Sequence, residues 1–126
     1  MSTKTIIKPR NSPAPVGPYN HAVRVGDLLF CSGQIPLDPQ GNLVTGDIRA
    51  QTERVLENVK VILAGQGMGF ANVVKSTVFM TNLGDFAAMN EVYARYFTSD
   101  FPARSTIQVA ALPRGASVEI EVVAHY

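Results

Sequence analysis

Apolar residues recur at helical spacing in two stretches of the chain, and each stretch predicts an amphipathic helix. The first runs from about residue 48 to residue 64, follows a suitable capping aspartate, Asp47, and is ended by the glycine-rich residues 65–69. The second is predicted over residues 85–97. The apolar stripe of the first helix consists of Ile48, Val55, Leu56, Val59, Ile62 and Leu63, and that of the second of Phe86, Met89, Tyr93, Tyr96 and Phe97.

Shorter runs, several of them rich in β-branched residues, predict six strands around these helices. The strands are predicted over residues 5–7, 20–24, 28–32, 73–81, 104–111 and 117–125. Residues 25–27 are predicted to form a hairpin turn, and the proline-rich residues 9–18 are expected to form an ordered loop that is neither helix nor central strand. The order β-β-β-α-β-α-β-β indicates an α+β domain with two helices on one face of a mixed sheet.

The strand over residues 73–81 carries apolar side chains on both of its faces. By alternation, Val74, Val78 and Met80 share one face and Val73, Thr77 and Phe79 the other. Two helices can cover only one face of a sheet, so we expect a second copy of the chain to cover the other, in a homo-oligomer with sheet-lined interfaces. The alternative is a semi-polar sheet face that is open to water.

Composition limits the classes of function. The chain has 126 residues with a net charge of +1, which suits one domain over residues 1–126 and provides no basic excess for nucleic acid. Cys31 is the only cysteine, so an intrachain disulfide is impossible. The polar residues 1–10 lack a signal core, and no apolar run is long enough to span a membrane. We therefore expect a cytoplasmic domain without membrane or nucleic-acid partners.

Arg104 lies within an otherwise apolar run, and a guanidinium is permanently charged. If residues 112–115 join the last two strands as an even-length hairpin, Arg104, Thr106 and Gln108 share a face with Glu119 and Glu121, while Ile107 and Val109 face the core with Val118, Ile120 and Val122. Two interpretations remain open. Arg104 pairs with a glutamate across the sheet, or it binds the carboxylate of a small ligand while a nearby glutamate acts as a base toward water.

Six short motifs, taken in order and at their spacing, resemble the RidA (YjgF/Rid) family from about residue 5 to the C-terminus. They are Gly17-Pro18-Tyr19, Ser32-Gly33-Gln34-Ile35-Pro36, Gln51 through Lys60, Val74 through Phe79, Pro102-Ala103-Arg104-Ser105 and Val118-Glu119-Ile120-Glu121. The resemblance implies a chorismate-mutase-like α+β fold and a homotrimer with clefts between subunits. It also implies cofactor-free and metal-free hydrolysis of 2-iminobutanoate and 2-iminopropanoate to 2-oxo acids and ammonia.

The resemblance assigns roles to particular residues. Arg104 would bind the substrate carboxylate, Glu119 would hold the attacking water, and the backbone at Thr106 would meet the imine. Tyr19 would close the pocket, with Ser32 and Asn90 as pocket or support positions. Thr106 stands where the best-known deaminases of the family have cysteine. If that contact is made by the backbone, threonine should be tolerated, whereas a contribution from the thiol would make the rate or the substrate range differ. Asn20-His21 stands where the family more often has a small residue and glutamine, a change at the rim of the cleft that leaves substrate preference undecided.

Other residues with reactive side chains have simpler interpretations. Cys31 is expected to be a packed small residue, Tyr93 and Tyr96 to pack their helix, and His21 and His125 to be isolated. Two alternative functions remain. One is a non-catalytic protein that binds small carboxylates in the same cleft, and the other, implied by the resemblance, is an endoribonuclease or translation inhibitor, which the near-neutral charge argues against.

Overall fold

The computed structural model describes residues 3–10, 12 and 14–126, and the predicted order of strands and α-helices is confirmed within this range. Its elements are β1 (Thr5–Ile7), β2 (Ala22–Val25), β3 (Leu28–Gln34), α1 (Ile48–Gly65), β4 (Val73–Met80), α2 (Phe86–Tyr96), β5 (Ala103–Gln108) and β6 (Val118–His125). The described part of the proline-rich stretch 9–18 is free of helix and strand, whereas Asn11 and Pro13 lie outside the described residues.

Local chemistry explains the element ends that the sequence predicted. The carboxylate of Asp47 accepts a hydrogen bond of 2.9 Å from the amide of Ala50, so it caps α1 as expected. The β2–β3 hairpin turns at Gly26 and Asp27, and Gly26 has a φ of 58°, a left-handed conformation that glycine adopts without strain.

The six strands form one mixed sheet in the order β1-β2-β3-β6-β4-β5. The predicted hairpin between the last two strands is wrong, because β6 lies between β3 and β4, antiparallel to both, while β5 pairs in parallel with β4 at the edge. Residues 109–117, which include a 3₁₀ turn at Pro113–Gly115, carry the chain from β5 across β4 instead of folding it back directly. This strand order changes which face of the sheet Arg104 occupies relative to Glu119.

The register of the sheet places Arg104 and Glu119 on opposite faces, so the predicted shared face is also wrong. Ser76 of β4 pairs with Arg104, and Phe79 of β4 pairs with Glu119. Ser76 is fully buried under α2, where its hydroxyl is 2.7 Å from that of Tyr93. Side chains alternate along a strand, so Ser76 and Phe79 point to opposite faces of the sheet. Residues that are paired on neighbouring strands point to the same face, so Arg104 and Glu119 also lie on opposite faces. Ile107, predicted to face the core, is 45% exposed for the same reason.

Both helices cover the same face of the sheet. The main core between them contains Val118, Ile120 and Val122 of β6, as predicted. A register shift between Val73 and Lys75 turns Val73 into this core and leaves Val74 exposed, the reverse of the assignment by simple alternation. On the other face Phe30 is 45% exposed and Leu28 is 37% exposed, which leaves an apolar surface without cover in a single chain.

Candidate functional site

The first part of the site, which we call the arginine half, surrounds the guanidinium of Arg104 on the helix face. Its Nη1 donates a 2.7 Å hydrogen bond to Oδ1 of Asn90, and its Cζ lies 4.7 Å from the centre of the Tyr93 ring and 5.6 Å from that of Phe86. These contacts hold the group in place without neutralising it. Asn90 therefore supports Arg104, and Tyr93, expected only to pack its helix, also lies beside the charged group.

Among the residues that the structure describes, no carboxylate lies within 4 Å of Arg104. The ion pairs in this part of the chain join Glu91 to Arg49 and Arg95, all on the exposed surface. The interpretation in which Arg104 pairs with a glutamate across the sheet is therefore wrong for the single chain. A half-buried guanidinium whose partners are an amide and aromatic rings keeps most of its five donors for an external anion.

Thr106 lies two residues beyond Arg104 on the outer strand. The amide of Val109 donates to the carbonyl of Met80, which shows that the odd-numbered residues of β5 bond to β4. The backbone N–H and C=O of Thr106 therefore point out of the edge of the sheet, where a small molecule can meet them. This outward direction is a property of the backbone and does not depend on the side chain of Thr106.

The second part of the site, the glutamate half, is a cavity of about 340 Å³ on the side of the sheet that the helices leave open. Its wall includes Glu119, Tyr19, Ser32, Gly33 and His21. The hydroxyl of Ser32 donates a 2.6 Å hydrogen bond to the carbonyl of Asn20, so toward the cavity it offers its lone pairs. Tyr19 is 45% exposed and forms an outer wall.

Burial raises the pKa of the Glu119 carboxyl above its ordinary value, and the nearby negative charge of Glu121 raises it further. A carboxylate with a raised pKa is a better base than an exposed one, so Glu119 is suited to take a proton from water. Its position depends on a register shift of β3 between Cys31 and Gln34, which brings the backbone of Gly33 against it.

Gly33 is a sterically constrained position in the wall of this cavity that the sequence pattern did not indicate. A Cβ at this position would lie 2.8 Å from Cδ and 2.9 Å from Oε2 of Glu119, closer than carbon and oxygen atoms approach without bonding. The conflicting atoms are at the end of a flexible side chain, so a larger residue would displace the carboxylate without unfolding the protein.

We expect Gly33→Ala to lower kcat about 10- to 100-fold in the reaction proposed below, because small displacements of a catalytic group have effects of this size. The melting temperature should change little. Gly69→Ala is the matched control, since nothing lies within 4 Å of a Cβ at Gly69. Steady-state kinetics and thermal melting measure both effects, and an unchanged kcat in Gly33→Ala would show that the close contact has no catalytic role.

His21 is not isolated, contrary to the expectation from sequence. Nε2 of Gln34 donates to the carbonyl of Ser32 and lies 3.4 Å from Nδ1 of His21. Because the amide nitrogen can only donate a hydrogen bond, Nδ1 of His21 is the acceptor in this contact. Gln34 therefore links the imidazole to the strand that carries Ser32, a role that the motif alone did not indicate.

Cys31 is 7% exposed within the core, and burial raises the pKa of its thiol to about 12. A thiol that stays protonated near neutral pH is a poor nucleophile, which agrees with its predicted packing role.

In the described ranges 3–10, 12 and 14–126, no group of three or more His, Cys, Asp or Glu side chains is placed to hold a metal ion. Over the same residues no helix combines the length and the apolar character needed to cross a membrane.

Comparisons with known proteins show which family the chain belongs to. Residues 9–126 match the family described as Endoribonuclease L-PSP. Protein DfrA of Myxococcus xanthus is 56% identical over 116 residues, which cover 90% of this chain and 88% of that protein. The 2-iminobutanoate/2-iminopropanoate deaminase of Capra hircus is 46% identical over 122 residues, which cover 96% of this chain and 89% of that protein.

Among solved structures, that of YyfA from Yersinia pestis, described as a protein of unknown function of the conserved Rid protein family, superposes with a TM-score of 0.95 at 44% identity. The match covers 98% of this chain and 100% of that one. The chain therefore belongs to the RidA (YjgF/Rid) family, and the predicted α+β fold with two helices on a mixed sheet is the fold of that family.

Proposed function

We propose that this protein hydrolyses reactive 2-imino acids, with 2-iminobutanoate and 2-iminopropanoate as the reference substrates, to 2-oxo acids and ammonia. The observation that carries the proposal is Arg104, a half-buried guanidinium with no carboxylate partner among the described residues. A small carboxylate is the ligand that such a group binds best. Relatives about 45% identical over most of the chain carry the name of this deaminase.

The complete site is formed between two copies of the chain. Arg104 and Glu119 lie on opposite faces of one sheet, so one small acid cannot contact both in the same chain. The apolar face that contains Phe30 and Leu28 is the surface that a second copy would cover. We propose a homotrimer with three equivalent clefts, in which the arginine half of one copy meets the glutamate half of the next.

Binding orients the substrate before any bond changes. The guanidinium of Arg104 holds the carboxylate with paired hydrogen bonds, and the outward backbone groups of Thr106 meet the imine nitrogen. An imine carbon is already electrophilic, so positioning supplies much of the acceleration. Tyr19 limits the access of bulk water to the cleft.

Glu119 then acts as a general base. It removes a proton from a water molecule while the water oxygen bonds to the imine carbon, the π electron pair of the C=N bond moves to nitrogen, and the nitrogen takes up a proton from solvent, which gives a tetrahedral aminoalcohol. The protonated carboxyl gives its proton to the nitrogen as the carbon–nitrogen bond breaks, and the hydroxyl proton of the intermediate passes to solvent and balances the one taken up earlier, so ammonia leaves and the 2-oxo acid forms. Because the carboxylate is the active form, activity should fall as the pH falls through the raised pKa of Glu119.

Two other functions fit the site less well. The family description names an endoribonuclease, but a net charge of +1 provides no overall basic excess to bind a phosphate backbone. A protein that binds small carboxylates without turnover would use Arg104 equally well. It would not require a half-buried carboxylate with a raised pKa in the other half of the site, and Glu119 therefore favours catalysis.

The direct test is the decay of 2-iminobutanoate produced in place by a pyridoxal-phosphate dehydratase acting on threonine, followed by trapping with semicarbazide. We expect the protein to accelerate decay of the imine and so to lower the yield of the trapped adduct. Binding of 2-oxobutanoate by calorimetry, measured on the same preparation, separates the alternatives. Tight binding with no acceleration of decay would identify a ligand-binding protein instead of an enzyme.

A further inference from the structure

An apolar cavity of about 290 Å³ adjoins Arg104 in the arginine half. Its walls are the rings of Tyr93, Phe97, Phe101 and Pro102 together with the methyl group of Ala94. Tyr93 and Phe97 stack with ring centres 4.2 Å apart and form a rigid floor, since Phe97 is only 2% exposed.

Phe101 forms the outer wall of this cavity. It is 71% exposed in the single chain, the largest exposure of any large hydrophobic residue in the described part of the protein. Asp100 precedes it with a φ of 50°, a left-handed conformation that turns the chain sharply after α2, and Pro102 restricts the backbone that follows. An exposed aromatic ring on a restricted backbone, beside a charged group, is suited to cover a bound molecule.

The polar side chains of Arg104 and Asn90 at the edge of the cavity already have roles in the site. Arg104 is the charged group, and Oδ1 of Asn90 accepts from it at 2.7 Å. A polar ligand side chain in this space would leave water for walls made mostly of carbon, which is unfavourable. An apolar side chain would instead cover the exposed rings, which is favourable.

The direction of β5 indicates which part of a 2-imino acid reaches this cavity. Pro102 precedes Arg104 on the chain and Thr106 follows it, so they lie on opposite sides of the guanidinium. The central carbon of a planar 2-imino acid carries the carboxylate, the nitrogen and the side chain. With the carboxylate on Arg104 and the nitrogen toward Thr106, the side chain extends toward Pro102 and Phe101.

We infer that this cavity receives the substrate side chain, and that the protein favours 2-imino acids with large apolar side chains, branched or aromatic, over 2-iminopropanoate. This inference rests on the proposed function. It assigns to Phe101 the role of a specificity-determining residue, which adds no chemistry to the reaction and acts through substrate binding.

The test compares imines that an amino acid oxidase produces from leucine, phenylalanine and alanine, with decay measured by semicarbazide trapping. We expect kcat/KM for the leucine and phenylalanine imines to exceed that for the alanine imine by about tenfold or more. Phe101→Ala should remove most of this preference by raising KM for the large substrates, with the alanine imine changed less than about twofold. Leu83→Ala, which truncates an exposed side chain outside the cavity, is the matched control and should keep the preference.

Three outcomes separate the claims. Absence of hydrolysis for every imine would overturn the proposed function, and then the affinities for 4-methyl-2-oxopentanoate and 2-oxopropanoate would still test the cavity. Hydrolysis without a side-chain preference, or a preference that Phe101→Ala retains, would overturn the inference alone. Dissociation of the oligomer in Phe101→Ala, measured by light scattering, would assign the ring to the subunit interface and also overturn it.

Discussion

Arg104→Ala should lower kcat/KM for 2-iminobutanoate by about 100-fold, or about 2.7 kcal/mol, because it removes a charge-assisted and paired contact with the carboxylate. The loss should appear mainly in KM, with a further decrease in kcat because the imine is no longer held against the edge of β5. The kcat/KM of Arg104→Lys should lie between those of the parent and of Arg104→Ala, since an ammonium keeps the charge but loses the paired donors of the guanidinium. Trapping kinetics over a range of imine concentrations separate KM from kcat.

Arg95→Ala provides the matched control for this prediction. Arg95 belongs to α2, as does the supporting Asn90, but it is an exposed residue whose nearest carboxylate, that of Glu91, lies 3.9 Å away. Exposed pairs of this kind contribute little, so kinetics and melting temperature should stay close to those of the parent. If Arg104→Ala retained parental kcat/KM while remaining folded, the carboxylate would have to bind elsewhere and the proposed site would be wrong.

The elements were predictable from the sequence because their signals are local. Asp47 caps α1 through its own side chain, and the stripe from Ile48 to Leu63 follows the period of a single helix. The hairpin at Gly26 likewise depends on adjacent residues. Such features require no knowledge of the rest of the chain, so their positions agree with the structure within one to three residues.

The sheet order was not predictable in the same way, because it depends on contacts between distant residues. Pairing the last two strands as a hairpin is the shortest connection, yet β6 fits between β3 and β4, where Ile120 is fully buried. This order makes β5 an edge strand parallel to β4 and so places Arg104 on the face of the sheet that the helices cover. The constraint at Gly33 was not predictable for a related reason, since it comes from the short distance to the side chain of Glu119 and not from any sequence pattern around Gly33.

If the site is shared between copies, two inactive variants should regain activity when they are assembled into the same oligomer. Arg104→Ala lacks the carboxylate clamp, and Glu119→Gln keeps the shape of the side chain but loses the base, an effect of about 100-fold or more on kcat. In a closed ring formed from equal amounts of both chains, about one quarter of the clefts join an intact Arg104 to an intact Glu119. Co-refolding the mixture should therefore recover about one quarter of the parental activity, measured by imine trapping.

A second mixture separates a shared site from a site within one chain. When the parent chain is co-refolded with an equal amount of the double variant Arg104→Ala/Glu119→Gln, a shared site leaves about one quarter of the clefts intact and a site within one chain leaves about one half. Mixing the folded single variants without subunit exchange should recover nothing. Activity that stayed at the level of the single variants after co-refolding would contradict a site divided between copies. Because the register of β4 sets Arg104 and Glu119 on opposite faces of one chain, that result would leave at most one of them in the catalytic cleft.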